Sequence, residues 1–480
     1  EAETESGRVR GIAAGNPRFT VFKGIPFAAP PVGELRWKEA QPAPAWEGVR
    51  DCCKYSDIPI QFGRGAEGAD IYGRQSEDCL YLNIWTPAER EDEKLPVLFW
   101  TYGGAFVGGC ANTGRFEGEG FCKRGVILVT YNYRAGALGL MAHPELSAET
   151  GHGSGNYYYL DQVAALKWVR RNIAHFGGDP DKITIMGHSS GAAATTALAC
   201  TPLTKGDMRA ASINSAIVAR DFDGPGEMWL PLEKAEERGL EYMELCGCEN
   251  IAQMRALPVE GLTKAFRKLK RGMFTFCGTI DGYLFSDNPT HMYYRGENHD
   301  IAYLLGDTID EGKALIAHGG KSFLLTREQL PEYAKNFGGQ AEDFLKFCGT
   351  LPEDEIINAM TDGSGMRNRQ QAVNQLRHGR KPALLFCFTR RLPGDNAGAC
   401  HGAELPYIFQ TLQNDWRPYA ASDYELSEQL ADYWANFVKT GNPNGVGLTE
   451  WTPLTEESPE SLMIDVAPFM CERKLAKIPL

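Results

Sequence analysis

The pentapeptide GHSSG at residues 187–191 places two adjacent serines between glycines. The pattern G-x-S-x-G is typical of a nucleophilic serine on a sharp turn from a strand to a helix, where small neighbours let the turn close. It selects Ser189 as the attacking residue and leaves Ser190 as the residue after it. A serine hydroxyl is a poor nucleophile unless a base takes its proton, so the rest of the chain must supply that base and an acid behind it.

The residues on either side of the pentapeptide favour this interpretation. The segment DKITIM (181–186) is typical of a short strand, and AAATTALA (192–199) is typical of a small-residue helix. A strand, a tight glycine turn and a helix are the geometry that an exposed serine nucleophile needs. A glycine-rich turn without catalysis is the alternative at this point.

Strands and helices alternate from about residue 95 onward. Buried strands are predicted at 95–104, 125–134, 301–307 and 382–391, and an amphipathic helix at 161–180 that stops at Gly-Gly-Asp-Pro. Strands separated by helices predict an α/β fold with a mostly parallel sheet covered on both faces. The charged, helix-like stretches 220–295 and 315–380 are predicted to be helical insertions over one end of the sheet in a single domain, 1–480.

The composition excludes several classes of function. The chain has 480 residues, 43% of them hydrophobic, and a formal net charge of −13, which argues against nucleic acid or an anionic membrane as the main partner. No apolar run is long enough to span a bilayer. The thirteen cysteines include no C-x-x-C pair and the histidines have no metal-ligand spacing, so no metal site is expected.

The cysteines also indicate a compartment. An odd number of scattered cysteines favours reduced thiols and therefore a cytoplasmic protein. The first residue is Glu1 rather than Met, so we expect a trimmed or processed chain, and secretion is not excluded on this basis.

Nine stretches, one of which contains the pentapeptide, resemble the type-B carboxylesterase family of the α/β-hydrolase fold, with a pattern similar to that of bacterial para-nitrobenzyl-esterase-like enzymes. In chain order they are GIPFAAPPVGELRW (24–37), SEDCLYLNIWTP (76–87), YGGAFVGG (102–109), NYRAGALG (132–139), LDQVAALKWV (160–169), FGGDPDKITIMGHSSGA (176–192), DEG (310–312), HGAELPYIF (401–409) and YWANFVKTGNPN (433–444). The resemblance implies a central sheet with helices on both faces and helical insertions over the active-site end.

The resemblance also implies roles for single residues. Ser189 matches the nucleophile, His401 in HGAEL the base, and Glu311 in DTIDEG the acid, in the chain order Ser, Glu, His that this fold requires. The neighbouring Asp310 is expected on the surface. Ser215 matches a serine that supports the acid.

Backbone amides stabilise the oxyanion in this family, and the matching positions are Gly104, Ala105 and Ser190. Ser189 is thus predicted to attack while Ser190 contributes its amide.

Candidate acyl or alcohol pocket residues are Phe106, His188, Trp229 and Phe222. Glu77, Arg134 and Asp161 lie in signature stretches and are expected to form buried ion pairs.

The chain departs from the family pattern in three places. His188 stands where the family usually has Glu, and no tryptophan lies between Gln61 and Glu77, so a preference for choline esters is not expected. The cysteine that pairs with Cys79 in the family is replaced by Ile60 here, so that disulfide bond is not expected. Cys52 or Cys53 could pair with Cys79 instead. Tyr158 replaces a common glycine and either narrows the pocket floor or only packs.

The resulting prediction is a serine carboxylester hydrolase that needs no cofactor and cleaves small to medium neutral esters through an acyl-enzyme. Lactones, thioesters or activated amides are alternative substrates for the same triad. An interfacial lipase is less favoured, since no long apolar lid segment is evident. An adhesion or scaffold protein of the neuroligin type is also less favoured, because those proteins lack the serine that this chain retains.

Overall fold

The computed structural model describes most of the chain. The described residues are 1–63, 73–216, 229–269, 275–311, 327–328, 330–331, 342, 345–346, 349–350, 356–455, 458 and 460–473, without the side chains of 294, 356–364 and 366–367. The candidate pocket residue Phe222 lies outside the described residues. So do most of residues 315–355 in the insertion predicted at 315–380, and part of the insertion predicted at 220–295.

The described strands are β1 (Arg8–Arg10), β2 (Ile12–Ala13), β3 (Thr20–Pro26), β4 (Val49–Asp51), β5 (Ile58–Pro59), β6 (Gln75–Ser76), β7 (Tyr81–Thr86), β8 (Leu95–Thr101), β9 (Ile127–Tyr131), β10 (Gly178–His188), β11 (Ala210–Asn214), β12 (Trp229–Pro231), β13 (Gly278–Ile280), β14 (Ala302–Thr308), β15 (Leu384–Phe388), β16 (Ser461–Ile464) and β17 (Phe469–Cys471). The α-helices are α1 (Glu119–Cys122), α2 (Gly136–Leu140), α3 (Pro144–Thr150), α4 (Tyr157–Asn172), α5 (Ser190–Leu198), α6 (Leu232–Cys246), α7 (Ile251–Ala256), α8 (Val259–Phe266), α9 (Pro289–Tyr294), α10 (Ile356–Arg377), α11 (Leu405–Ile408) and α12 (Ala421–Thr440).

Eleven of these strands form one sheet in the order β17-β16-β15-β14-β11-β10-β8-β9-β7-β3-β2. The seven strands from β16 to β9 run parallel, and antiparallel strands close both edges. The carboxyl ends of parallel strands meet at the same edge of a sheet, where α/β proteins bind their ligands. The turns after β8, β10, β11 and β14 and the loop after β15 therefore converge.

The prediction of a mostly parallel α/β sheet is confirmed. All the predicted strands are present, and the predicted helix begins four residues earlier, at Tyr157, and ends in a short 3₁₀ turn at Ile173–Phe176. The antiparallel strands near the amino terminus were not predicted. Nor was the two-stranded parallel sheet of β12 and β13, which lies within the insertion predicted at 220–295.

Buried side chains hold these layers together. A continuous apolar cluster extends from Ala2 to Ile464 and includes both sheet and insertion residues. The expected ion pairs are confirmed: Arg36 contacts Glu77 at 2.6 Å and Arg134 contacts Asp161 at 2.6 Å, and all four side chains are mostly or fully buried.

Each of the twelve cysteines in the described ranges is a free thiol, Cys79 among them. None of the helices described is both long and apolar enough to cross a membrane.

Candidate active site

Ser189 lies at the apex of the turn between β10 and α5. Its backbone has φ 60° and ψ −126°, a strained conformation for a residue with a side chain, at an expected cost of about 1–3 kcal/mol. A Cβ on Gly187 would lie 2.2 Å from the oxygen of Gly191, and a Cβ on Gly191 would lie 2.3 Å from the oxygen of Tyr102. The turn closes only because both positions are glycine.

The glycine turn after β8 lies directly against Ser189. A Cβ on Gly103 would meet Ser189 Cβ at 2.7 Å and Oγ at 3.3 Å. Gly104 and Ala105 both have positive φ, 153° and 53°. Their N–H groups donate to no residue in the described ranges, and Ser190 is the first residue of α5, where the N–H has no partner within the helix. These three amides have no acceptor among the described residues, and their role in stabilising an oxyanion stays a prediction.

His401 and Glu311 are brought together by the loops after β15 and β14. His401 Nδ1 is hydrogen-bonded to Glu311 Oε2, and the Thr308 amide donates to Glu311 Oε1 at 3.0 Å. Burial alone would lower the pKa of His401, but the Glu311 carboxylate raises it overall. Burial would raise the pKa of Glu311, yet His401, Ser215 and the Thr308 amide together lower it. Both shifts favour an imidazole that is paired with an ionised carboxylate, which is the arrangement that a base and its acid need.

The His401–Glu311 pair approaches the turn between β10 and α5 at the imidazole of His188. The ring centroids of His188 and His401 are 4.3 Å apart, so His401 contacts the residue that directly precedes Ser189. No hydrogen bond joins Ser189 Oγ to His401 within the described part of the chain. Catalytic hydrogen bonds are often long in ligand-free enzymes and tighten when substrate binds.

A sequence model of the family described as "Carboxylesterase family" matches residues 1–343 and 350–478. The chain belongs to this family.

Individual relatives agree with this assignment. The carboxylesterase is 34% identical over 469 residues to fumonisin B1 esterase of Sphingopyxis macrogoltabida, an alignment that covers 93% of this chain and 83% of the relative. It is 30% identical to carboxylesterase 4A of Bos taurus, over 99% of this chain and 94% of the relative. The solved structure titled PNB esterase superposes with a TM-score of 0.84 at 29% identity, over 98% and 97% of the two chains. The predicted α/β-hydrolase fold and the predicted class, a serine carboxylester hydrolase, are confirmed.

The expectation that Asp310 lies on the surface of the carboxylesterase is wrong. Its side chain is only 4% exposed. Its Oδ2 accepts a hydrogen bond from the Ala399 amide at 3.0 Å, and its own amide donates to the Ala399 oxygen at 3.1 Å. Asp310 thus holds the loop that carries His401, whereas its neighbour Glu311 contacts the imidazole itself.

This geometry separates the two acidic residues experimentally. Glu311→Gln should lower kcat by about 10³–10⁴-fold, because an amide neither fixes the imidazole tautomer nor stabilises the imidazolium. Asp310→Asn is the matched control: its amide oxygen still accepts from Ala399, so we expect a loss of about tenfold or less. Initial rates with 4-nitrophenyl acetate measure both. A larger loss with Asp310→Asn than with Glu311→Gln would assign the acid to Asp310.

His188 is a neutral, buried side chain beside His401. It is 8% exposed, and its Nε2 has no hydrogen-bond partner among the described residues. Burial, then the charges of His401 and Arg115, lower the pKa of His188 well below its usual value. An uncharged imidazole therefore occupies the position directly before Ser189.

The other pocket candidates differ in their surroundings. Phe106 is buried and packs on the ring of Tyr158 at 5.5 Å, and the Tyr158 hydroxyl donates to the Ser190 oxygen at 3.3 Å. Tyr158 thus packs beneath the glycine turn and the start of α5. Trp229 stacks on Tyr159 with ring centroids 5.2 Å apart, and its predicted role in the pocket stays a prediction.

Two residues near the site were missed by the sequence analysis. Gln61 Oε1 accepts from the Gly109 amide at 2.6 Å and braces the glycine turn. Glu404 is fully buried three residues after His401, where burial and then Glu311 raise its pKa to about 7. Neither has a spacing signal that distinguishes it from an ordinary polar residue. No cluster of three or more His, Cys, Asp or Glu among the described side chains is arranged to hold a metal ion.

Proposed function

We propose that the carboxylesterase cleaves small to medium neutral carboxylic esters through an acyl-enzyme formed on Ser189, with His401 as base and Glu311 as acid. The observation that supports it most is the convergence of three independent segments at one edge of the sheet. Ser189 lies at the apex of the strained turn after β10, and Gly103 in the turn after β8 lies against its side chain. The hydrogen-bonded pair of His401 and Glu311 contacts His188, the residue before Ser189.

The first half of the reaction acylates the enzyme. His401 takes the proton of the Ser189 hydroxyl as Oγ attacks the ester carbonyl, and the resulting oxyanion accepts hydrogen bonds from the amides of Gly104, Ala105 and Ser190. His401 then gives its proton to the leaving alkoxide, and the C–O bond breaks. The products of this half are the free alcohol and a Ser189 acyl ester.

The second half returns the enzyme to its starting state. His401 takes a proton from water, the hydroxide attacks the acyl carbonyl, and the same amides stabilise the second oxyanion. His401 then reprotonates Ser189 Oγ as the acid departs. Glu311 remains ionised throughout and stabilises the imidazolium in both halves.

The preference for neutral esters is supported by His188. A quaternary ammonium group binds well beside carboxylates and over aromatic faces. Here the residue before the nucleophile is a neutral imidazole, and the Arg115 guanidinium acts on it through its positive charge. At the position of His188 a cation thus meets a neutral ring instead of a carboxylate, and the charge of Arg115 has the same sign as its own.

A matched pair of substrates tests this preference. Acetylcholine and its uncharged isostere 3,3-dimethylbutyl acetate have the same shape, so kcat/KM should be about tenfold or more higher for the neutral ester, equivalent to ~1.4 kcal/mol of transition-state binding. His188→Glu should narrow the difference by favouring the choline ester, whereas the control His188→Gln, which adds no charge, should leave it nearly unchanged. A wild-type preference for acetylcholine would contradict the assignment of a neutral substrate.

A further inference from the structure

Asp307 is a second buried carboxylate close to the proposed acid. It lies near the end of β14 with none of its side chain exposed. Arg473, which follows β17 near the carboxyl end of the described chain, donates from Nη1 to Asp307 Oδ1 at 2.6 Å and is only 8% exposed. A residue far along the chain thus pairs with the strand that leads into the turn of Glu311.

The backbone links this ion pair to the acid. Asp307 directly precedes Thr308, whose amide donates to Glu311 Oε1 at 3.0 Å. Burial raises the pKa of Asp307 to about 6; Arg473 opposes this rise and the Glu311 charge adds to it. Asp307 and Glu311 therefore repel one another electrostatically, and Arg473 offsets the repulsion.

The other titratable and charged groups around this pair are few in the described structure. On β15 the thiol of Cys387 lies in register with Asp307. On α10, Arg369 lies 3.8 Å from Glu472, the residue before Arg473. Where β11 ends, Asn214 and Ser215 are neutral. His401 additionally faces Glu404 and His188, which stay the same in every variant used below.

We propose that Asp307 and Arg473 are positioning residues: their ion pair balances the charge behind Glu311 and so sets the pH at which His401 becomes the active, neutral base. The proposal rests on the function proposed above. Asp307 supplies a negative charge that would stabilise the imidazolium too strongly, and Arg473 cancels it.

Opposite shifts in the pH profile test this balance. Asp307→Asn removes a negative charge, which disfavours the imidazolium. The acidic limb, which is the pH range over which kcat/KM rises as His401 loses its proton, should therefore move to lower pH. Arg473→Met removes the positive charge and lets the pKa of Asp307 rise further. The limb should move to higher pH where Asp307 is ionised and should broaden, because the protons of Asp307 and His401 are released in coupled steps. We expect shifts of about 0.5–1 pH unit in each direction. The double variant should return close to the wild-type limb.

Two further variants separate charge from structure. Arg473→Lys keeps the positive charge and should restore the limb. Arg124→Met removes another mostly buried guanidinium, 11% exposed and paired with Glu428 and Asp432 on α12, and should leave the limb in place whatever it does to thermal stability. If Arg473→Met does not fold, Asp307→Asn, the double variant and Arg473→Lys still carry the test.

Single variants that shift the limb in the same direction or not at all, or a double variant that does not recover it, would overturn the proposal. The failure of the proposed function is distinguishable: it would appear as full activity in Ser189→Ala. If Ser189→Ala is inactive and no variant of Asp307 or Arg473 shifts the acidic limb, the proposed function stands and the proposed role of the ion pair is wrong.

Discussion

Ser189→Ala should lower kcat for small aryl esters by about 10⁴-fold or more while the fold stays intact. Without Oγ no acyl-enzyme forms, and only the oxyanion amides and substrate binding remain to accelerate attack by water. Alanine has the same Cβ as serine, so it fits against Gly103 and leaves the turn unchanged. Initial rates with 4-nitrophenyl acetate and the thermal unfolding midpoint measure the two effects separately.

Ser190→Ala is the matched control for this experiment. The side chain of Ser190 is buried, and its proposed contribution comes from the amide, which alanine retains. We expect most of the activity to remain. If Ser190→Ala were the inactive variant and Ser189→Ala the active one, the nucleophile would be the second serine of the pair.

His401→Ala should be nearly as damaging as Ser189→Ala. The serine is not activated without the base, and groups that act as a unit do not lose activity additively, so the double variant should be no worse than either single variant. In the wild type, Glu311 raises the pKa of His401, so activity should fall as pH drops through this raised pKa and the imidazole becomes charged. Rates from pH 5 to pH 9 measure the limb.

The neighbouring histidine provides the control for this prediction. His188 is also buried and its ring centroid lies 4.3 Å from that of His401, but its pKa is depressed, and it contacts neither Glu311 nor a described hydrogen-bond acceptor through Nε2. His188→Gln should keep most of the activity and the acidic limb. A flat wild-type profile, or a limb that disappears with His188→Gln, would move the base away from His401.

The turn that carries Ser189 and the strands around it were predictable because each is specified by residues close together in the sequence. The glycines at 187 and 191 are required by contacts within the turn and with the end of β8, and a short pattern of residues records that requirement. The same holds for the alternation of strands and helices, because each buried strand carries its own apolar run. The order of Ser189, Glu311 and His401 along the chain followed from the resemblance to the family.

The residues that contact the site from behind, Asp310, Asp307 and Arg473, were not predictable in this way. Asp310 looks like an ordinary surface acid until its contact with Ala399, 89 residues away, is known. Asp307 and Arg473 are 166 residues apart, and nothing in either sequence neighbourhood indicates the partner. Such pairs depend on the register of β14, β15 and the carboxyl-terminal segment, which composition and spacing do not encode.

Covalent labelling tests the central claim most directly. A fluorophosphonate probe reacts with a serine only when a base and oxyanion donors activate it, and intact mass spectrometry followed by peptide mapping counts and places the adduct. We expect one adduct per wild-type chain, on the peptide that contains Ser189, and none on Ser189→Ala. A wild-type chain that stays unlabelled at Ser189, or a Ser189→Ala chain that is labelled to the same extent, would contradict the account.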